Sequence, residues 1–240
     1  MSPTRKRYFA KLVGRCIVLV LCAILCAVSP EKFEILDGAN FFHQLSPLHF
    51  LWAIWMADMA LQIIPVKNKV PLGSQKLFAI RFQHNGDKID QDGLRSYIIT
   101  TTKAAYKVFI LWCVLVTVIG VLYFGGVIGK IGLFMISVLF YVCDLICVLI
   151  WCPFRLMMKT RCCTTCRIFN WDHLMMFTPM LFVNSFFSLS LVILAVIVWL
   201  VWEGCILLHP ERIWERTNEA LRCSNCTDKL CSQYCRKLRK

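Results

Sequence analysis

Two groups of cysteines carry the strongest chemical signal in this 240-residue chain. Cys162, Cys163 and Cys166 form a Cys-Cys-x-x-Cys cluster. Cys223, Cys226, Cys231 and Cys235 follow towards the C-terminus, separated by two, four and three residues. Two residues between thiolates let both sulfurs reach one tetrahedral ion about 2.3 Å away. Cys163 and Cys166 with Cys223 and Cys226 would complete a four-thiolate site for structural zinc or an iron–sulfur cluster. The 56 residues between the two pairs exceed the interval of a zinc ribbon. Such a site therefore needs a membrane hairpin that returns the chain to the same face. Alternatively, the four tail cysteines hold an ion by themselves, and Cys162, Cys163 and Cys166 form a separate redox or metal-contact group. Lipidation is the plainer role for Cys152, Cys162 and Cys163, beside an apolar run.

Asp58 and Asp144 are the second candidates. Both fall inside apolar runs, where an ionisable group is costly and points to an ion path or a proton relay. On a helix Asp144 shares a face with Cys147 and Trp151, and Asp58 shares one with Gln62. His49, nine residues before Asp58, falls on the opposite side. Neither carboxylate has a basic partner within its own run, and Arg15, near a membrane edge, is the nearest candidate. The plainer reading is a protonated or hydrogen-bonded carboxyl that orients helix packing. Asp172 and His173 could act as acid–base groups or metal ligands. Phe169 and Trp171 beside them favour an interfacial anchor instead.

The elements that must position these residues are membrane spans. The chain is 58% hydrophobic and its mean hydropathy is +0.63, too apolar for an ordinary soluble domain. An all-α, polytopic membrane bundle is expected, with about six spans near residues 12–28, 47–66, 108–124, 132–152, 174–187 and 188–208. The segment before 108 is expected to extend that span as a helix from about Leu94. The fourth span is expected to stop at Pro153, and a short interfacial helix to run from Pro210 to about Leu221. Residues 209–240 form a basic, cysteine-rich tail. The block from Leu174 to Leu208 decides the topology. As one helix it would be about 52 Å long, against a hydrocarbon core near 30 Å.

Charge sets the expected orientation. The net charge of +13 lies in loops and termini, which marks the cytoplasmic side and favours contact with anionic lipid over nucleic acid. Both termini and both cysteine groups are then cytoplasmic, with a membrane or cytoplasmic protein as a further partner. Asp87, Asp90 and Asp92 fail the calcium-loop pattern, since Lys88 takes the first ligand position and Ile99 the closing one. None of the spans carries the two histidines of a bis-histidine haem site. The nucleotide, serine-hydrolase and zinc-protease motifs are absent. The leading expectation is a membrane protein with a cytoplasmic-face thiolate metal centre, serving assembly or redox coupling. The alternatives are a transporter or channel using Asp58 and Asp144, and an enzyme acting on lipid at the basic face.

Overall fold

The computed structural model describes residues 2–64, 78–86, 88–160, 162–226 and 230, without the side chains of Arg81, Thr164 and Cys223. Cys231 and Cys235 lie outside the described residues. Among those described, the chain is helical and forms no strand, only two isolated bridges. Four helices are long and apolar enough to cross a membrane: α1 (Pro3–Val28), α3 (Gln91–Phe124), α4 (Lys130–Leu149) and α7 (Phe186–Leu208). A shorter apolar helix, α2 (Leu48–Ile63), joins them. Two short helices, α5 (Phe154–Met158) and α6 (Asp172–Phe177), complete the set.

Side-chain caps set three of the long helices. Ser2 accepts from the amide of Arg5 at the start of α1. Asp90 accepts from that of Gly93 at the start of α3, and Ser185 from that of Ser188 at the start of α7. Each satisfies an amide that the first helical turn leaves open. Asp90 is thus a helix cap, and α3 begins three residues before the expected Leu94. The helix α4 ends at Leu149, four residues before Pro153.

Residues 169–185 differ from a regular span. They form a 3-10 turn, then α6, then a second 3-10 turn, Thr178–Phe182. Pro179 has no N–H to continue an α-helix and its ring crowds the preceding turn. This strap runs antiparallel to α7. Trp171 at one end donates to Glu203, near the C-terminus of α7, while Ser185 at the other caps its N-terminus. Gly120 of α3 lets the strap approach, since a Cβ there would lie 2.7 Å from the ring of Phe182. At the far end the amide of Gly38 donates to Asn184, and that of Phe186 donates to Gly38. The acid-rich loop before α2 is thereby fastened to the junction between strap and α7, and Phe33, Ile35 and Leu36 are buried below it.

The expected helix from Pro210 to Leu221 is replaced by successive turns. Side chains take the backbone partners that a helix would use. Thr217 donates to the carbonyls of Glu211 and Trp214, and Asn218 to that of Arg212. The amide of Glu219 donates to Gln83 at 2.8 Å, docking the segment on the loop before α3. Trp55, Phe134, Phe177, Phe187 and Leu191 form the fully buried centre of the bundle. Outward faces such as Val20, Leu21 and Ile24 of α1 or Ile193 and Leu200 of α7 stay exposed and apolar. In lipid such faces need no cover, so tight packing is what selects the inner ones.

Candidate functional site

Five polar side chains from four elements meet where α1, α2, α4 and α6 converge. Arg15 of α1 lies at the centre, buried with 8% of its surface accessible. Its Nη1 donates to Asp144 Oδ2 of α4 and to the Tyr141 carbonyl, both at 2.6 Å. Nη2 lies 3.7 Å from Asp58 Oδ2 of α2. The guanidinium also sits over the Tyr141 ring, 3.9 Å from its centroid, an attraction that strengthens as water is excluded.

His173 of α6 continues the chain of contacts. Its Nε2 is 3.5 Å from Asp58 Oδ2, and its Nδ1 is 3.2 Å from Asp172 Oδ1. Gln62 Nε2, one helical turn after Asp58, reaches His173 Nδ1 at 2.9 Å and donates to Asp172 Oδ2 at 3.2 Å. The order is Asp144, Arg15, Asp58, His173, Asp172. Three carboxylates face one guanidinium and one imidazole. Even with His173 protonated, one negative charge is left over at a depth where an unpaired charge is expensive. The cluster therefore favours an extra proton or cation. Lys11, one turn before Arg15, is exposed and stands over the Tyr8 ring, 5.9 Å from its centroid.

Asp144 and Asp172, the two ends of the chain, line one cavity of about 240 Å³. It lies between α3, α4, the 152–169 loop and α6, with Trp112, Phe140 and Met176 along its apolar wall. Cys143, Cys147, Cys152, Cys163 and Cys166 all line it. Cys163 Sγ is 3.8 Å from the carbonyl of Cys147. The thiols of Cys147 and Cys152 are hydrogen-bonded to each other. That bond, with the backbone amides and charge of the following turn, lowers the Cys152 pKa to about 7, just beyond the end of α4. Burial pushes Cys163 up to about 12.

A second ion pair holds the cavity's loop. Arg167 is buried and bonds Glu203 of α7 through both terminal nitrogens, at 2.8 and 2.7 Å. Trp171 donates to the same carboxylate, and Trp202 donates to the Arg167 carbonyl. A bidentate pair with indole support fixes direction as well as charge. Cys166 thus sits next to a residue anchored to α7.

Of the residues singled out from sequence, Asp58 and Asp144 come together through Arg15. Cys163 and Cys166 share a cavity with Cys143 and Cys147 of α4 and with Cys152 just beyond it. Cys162 is partly buried in the same loop, and Cys226 is partly buried in the tail. Among the described residues no three His, Cys, Asp or Glu side chains converge on a common metal position. The tail nevertheless returns to the bundle. Leu230, between Cys226 and Cys231 in sequence, is buried with Leu12, Leu145 and Leu149, and Phe169 packs against that cluster. Asp172 and His173 are the residues the sequence misplaces. His173 is 2% accessible and belongs to the network, not to an interfacial anchor. Its only sequence signal is an Asp-His pair opening an apolar block. The chain matches no known protein family, no characterised protein and no solved structure.

Proposed function

We propose that this is a membrane transport protein in which the Asp144–Arg15–Asp58–His173–Asp172 chain relays protons. The chain crosses the bilayer six times, with the strap as the fifth crossing and both termini on the cytoplasmic face, and lipid covers the outer apolar surfaces. The observation that carries this reading is the set of three carboxylates around one arginine and one histidine, with two of the carboxylates, Asp144 and Asp172, lining one cavity. An intramembrane network with surplus negative charge exchanges a proton more readily than it holds a fixed charge state. Arg15 pairs with Asp144 and lies within reach of Asp58, His173 bridges Asp58 and Asp172, and the proton moves among the three carboxylates.

Purified protein in vesicles enclosing a pH-sensitive dye tests the relay. Under an imposed membrane potential the vesicles should change internal pH. Asp58→Asn, Asp144→Asn and His173→Asn should each slow that change at least tenfold. A rate equal to that of protein-free vesicles would sink the reading.

A thiolate metal centre at the basic end is a second reading, favoured by Leu230 against the Phe169 cluster. That packing supports a tail held near the loop of Cys162, Cys163 and Cys166, where zinc or an iron–sulfur cluster would act as a staple. Metal analysis of anaerobically purified protein should give about one zinc, or iron with visible absorbance. Cys226→Ser should lose it, and protein without either metal removes this reading.

A further inference from the structure

We infer that the cavity bounded by Cys143, Cys147, Cys152, Cys163 and Cys166 is a binding site for a soft monovalent metal cation, Cu(I) in kind, with Cys147 and Cys152 as its principal sulfur ligands. This deepens the transport reading by naming the class of cargo, and it rests on that reading only for the onward movement of the ion. Its principal ligands at the end of α4 distinguish it from the tail staple, which shares Cys163 and Cys166 with the cavity lining.

Three observations converge. First, five thiols from two chain segments line one cavity of about 240 Å³, and thiolate sulfur favours soft ions, Cu(I) together with zinc and iron–sulfur clusters. Second, most of the remaining lining is apolar, with Trp112, Phe140 and Met176, and its polar side chains are Asp144, Asp172, Arg155 and Thr160. Such a wall disfavours hard, strongly hydrated ions such as Mg²⁺, which keep their water and prefer oxygen. Third, the sulfurs pair instead of forming a tetrahedron. Cys147 and Cys152 line the cavity together at the end of α4, Cys163 Sγ is 3.8 Å from the Cys147 carbonyl, and no three metal-ligating side chains converge among the described residues. Zinc in structural sites takes four ligands, whereas a d¹⁰ monovalent ion is content with two sulfurs.

The carboxylates complete the chemistry. When the ion binds, each Cys–SH loses its proton as a metal–sulfur bond forms, so M⁺ + 2 RSH gives [M(SR)₂]⁻ + 2 H⁺ with no change of oxidation state. Asp144 and Asp172 line the same cavity and stand as the first acceptors. Arg15 and Tyr141 face Asp144, and His173 and Gln62 face Asp172. Arg155, at the cavity wall, donates from Nε to the Thr160 carbonyl. Ion entry is thus tied to loading of the relay.

The test uses the full chain in lipid nanodiscs under anaerobic conditions, titrated with Cu(I) against a competing chromogenic chelator. Wild type should withdraw one more ion from the chelator than Cys147→Ala or Cys152→Ala, with at least a hundredfold lower apparent affinity for that ion in either variant. Cys147→Ser, which keeps the shape, should lose it as well. Cys226→Ala in the tail should keep it. X-ray absorption should report two or three sulfur neighbours and no oxygen. Equal withdrawal by wild type and both alanine variants overturns the site, as does loss in Cys226→Ala alone. Proton release on binding is read in the same titration. Copper binding with normal vesicle proton flux supports both ideas. Copper binding without flux leaves the site standing and removes the relay.

Discussion

Arg15 is the residue on which the site's electrostatics turn. It is buried, it stacks on Tyr141, and it holds Asp144 while lying within reach of Asp58. Arg15→Met would leave the three carboxylates with His173 and the more exposed Lys11 as their cations among the described residues. Removing one partner of a buried pair costs about 3–5 kcal/mol, so thermal unfolding in detergent should shift down by many degrees. Adding Asp144→Asn should restore part of the loss, because the two side chains share one interaction and their effects do not add. Cys152 supports a second prediction. Its lowered pKa means that the thiolate is already half formed at about pH 7 and is lost as pH falls below that value. Alkylation by iodoacetamide should therefore rise between pH 6 and 8 and then level off. Cys147→Ala removes the largest cause of the shift, so the rise should move to higher pH and the rate at pH 7 should drop severalfold. An unchanged profile in that variant would show that the Cys147 thiol does not set the Cys152 pKa.

At the level of elements, the long helices could be read from the sequence because length, apolarity and capping residues are local properties. Asp90 and Ser185 cap α3 and α7, which start two or three residues before the boundaries expected from hydropathy. The strap depends on long-range contacts. The 35-residue apolar block from Leu174 to Leu208 has room for one span and a fraction. Pro179 and Asn184 are places where it can break, but they do not show that the first part winds as a short α-helix and then a 3-10 turn that packs against α3. The site follows the same division. Asp58 and Asp144 stood out as charges in apolar runs. Arg15 between them and His173 beside them depend on which helices touch, and that contact is long-range. The cysteine cavity has no local signature, because in-span cysteines look like small hydrophobes until a loop folds over them. Two predictions test these contacts. Gly120→Val should destabilise the protein by about 1–3 kcal/mol through overpacking against Phe182, and Phe182→Leu should recover much of it in the double variant. Glu203→Ala should cost at least as much, because it strands the buried Arg167 guanidinium. Thermal unfolding would check both, and a neutral Gly120→Val would mean that the strap does not press on α3 there.

For the whole molecule, sidedness and crossing number follow from one segment. The N-terminus of α1 is basic, with Arg5, Lys6, Arg7 and Lys11 and no acid, so it should remain in the cytoplasm. Helices α1 and α2 would then return the chain inside before the lysine- and arginine-rich stretch preceding α3. The Gly126 turn would be outside and the Cys162–Cys166 loop inside. Only the strap then decides where α7 starts. If residues 169–185 cross, Ser185 is outside, α7 brings the chain back in, and the tail shares a compartment with the cysteine loop. If they do not, α7 carries the tail outside and no metal staple can join the two groups. Its contacts favour crossing, since they run from Glu203 at one end of α7 to Gly38 in the acid-rich loop at the other. Alkaline phosphatase fused after Leu45, Gly126 or Ser185 should be active in a bacterial host, because that enzyme needs an oxidising exterior to form its disulfides. Fusions after Thr160 or Cys226 should be inactive, and a green fluorescent protein at Cys226 should glow. An inactive Ser185 fusion with an active Cys226 fusion would reverse α7. The thiols of the tail would then face the compartment where disulfides form instead of the one where free thiolates can hold metal.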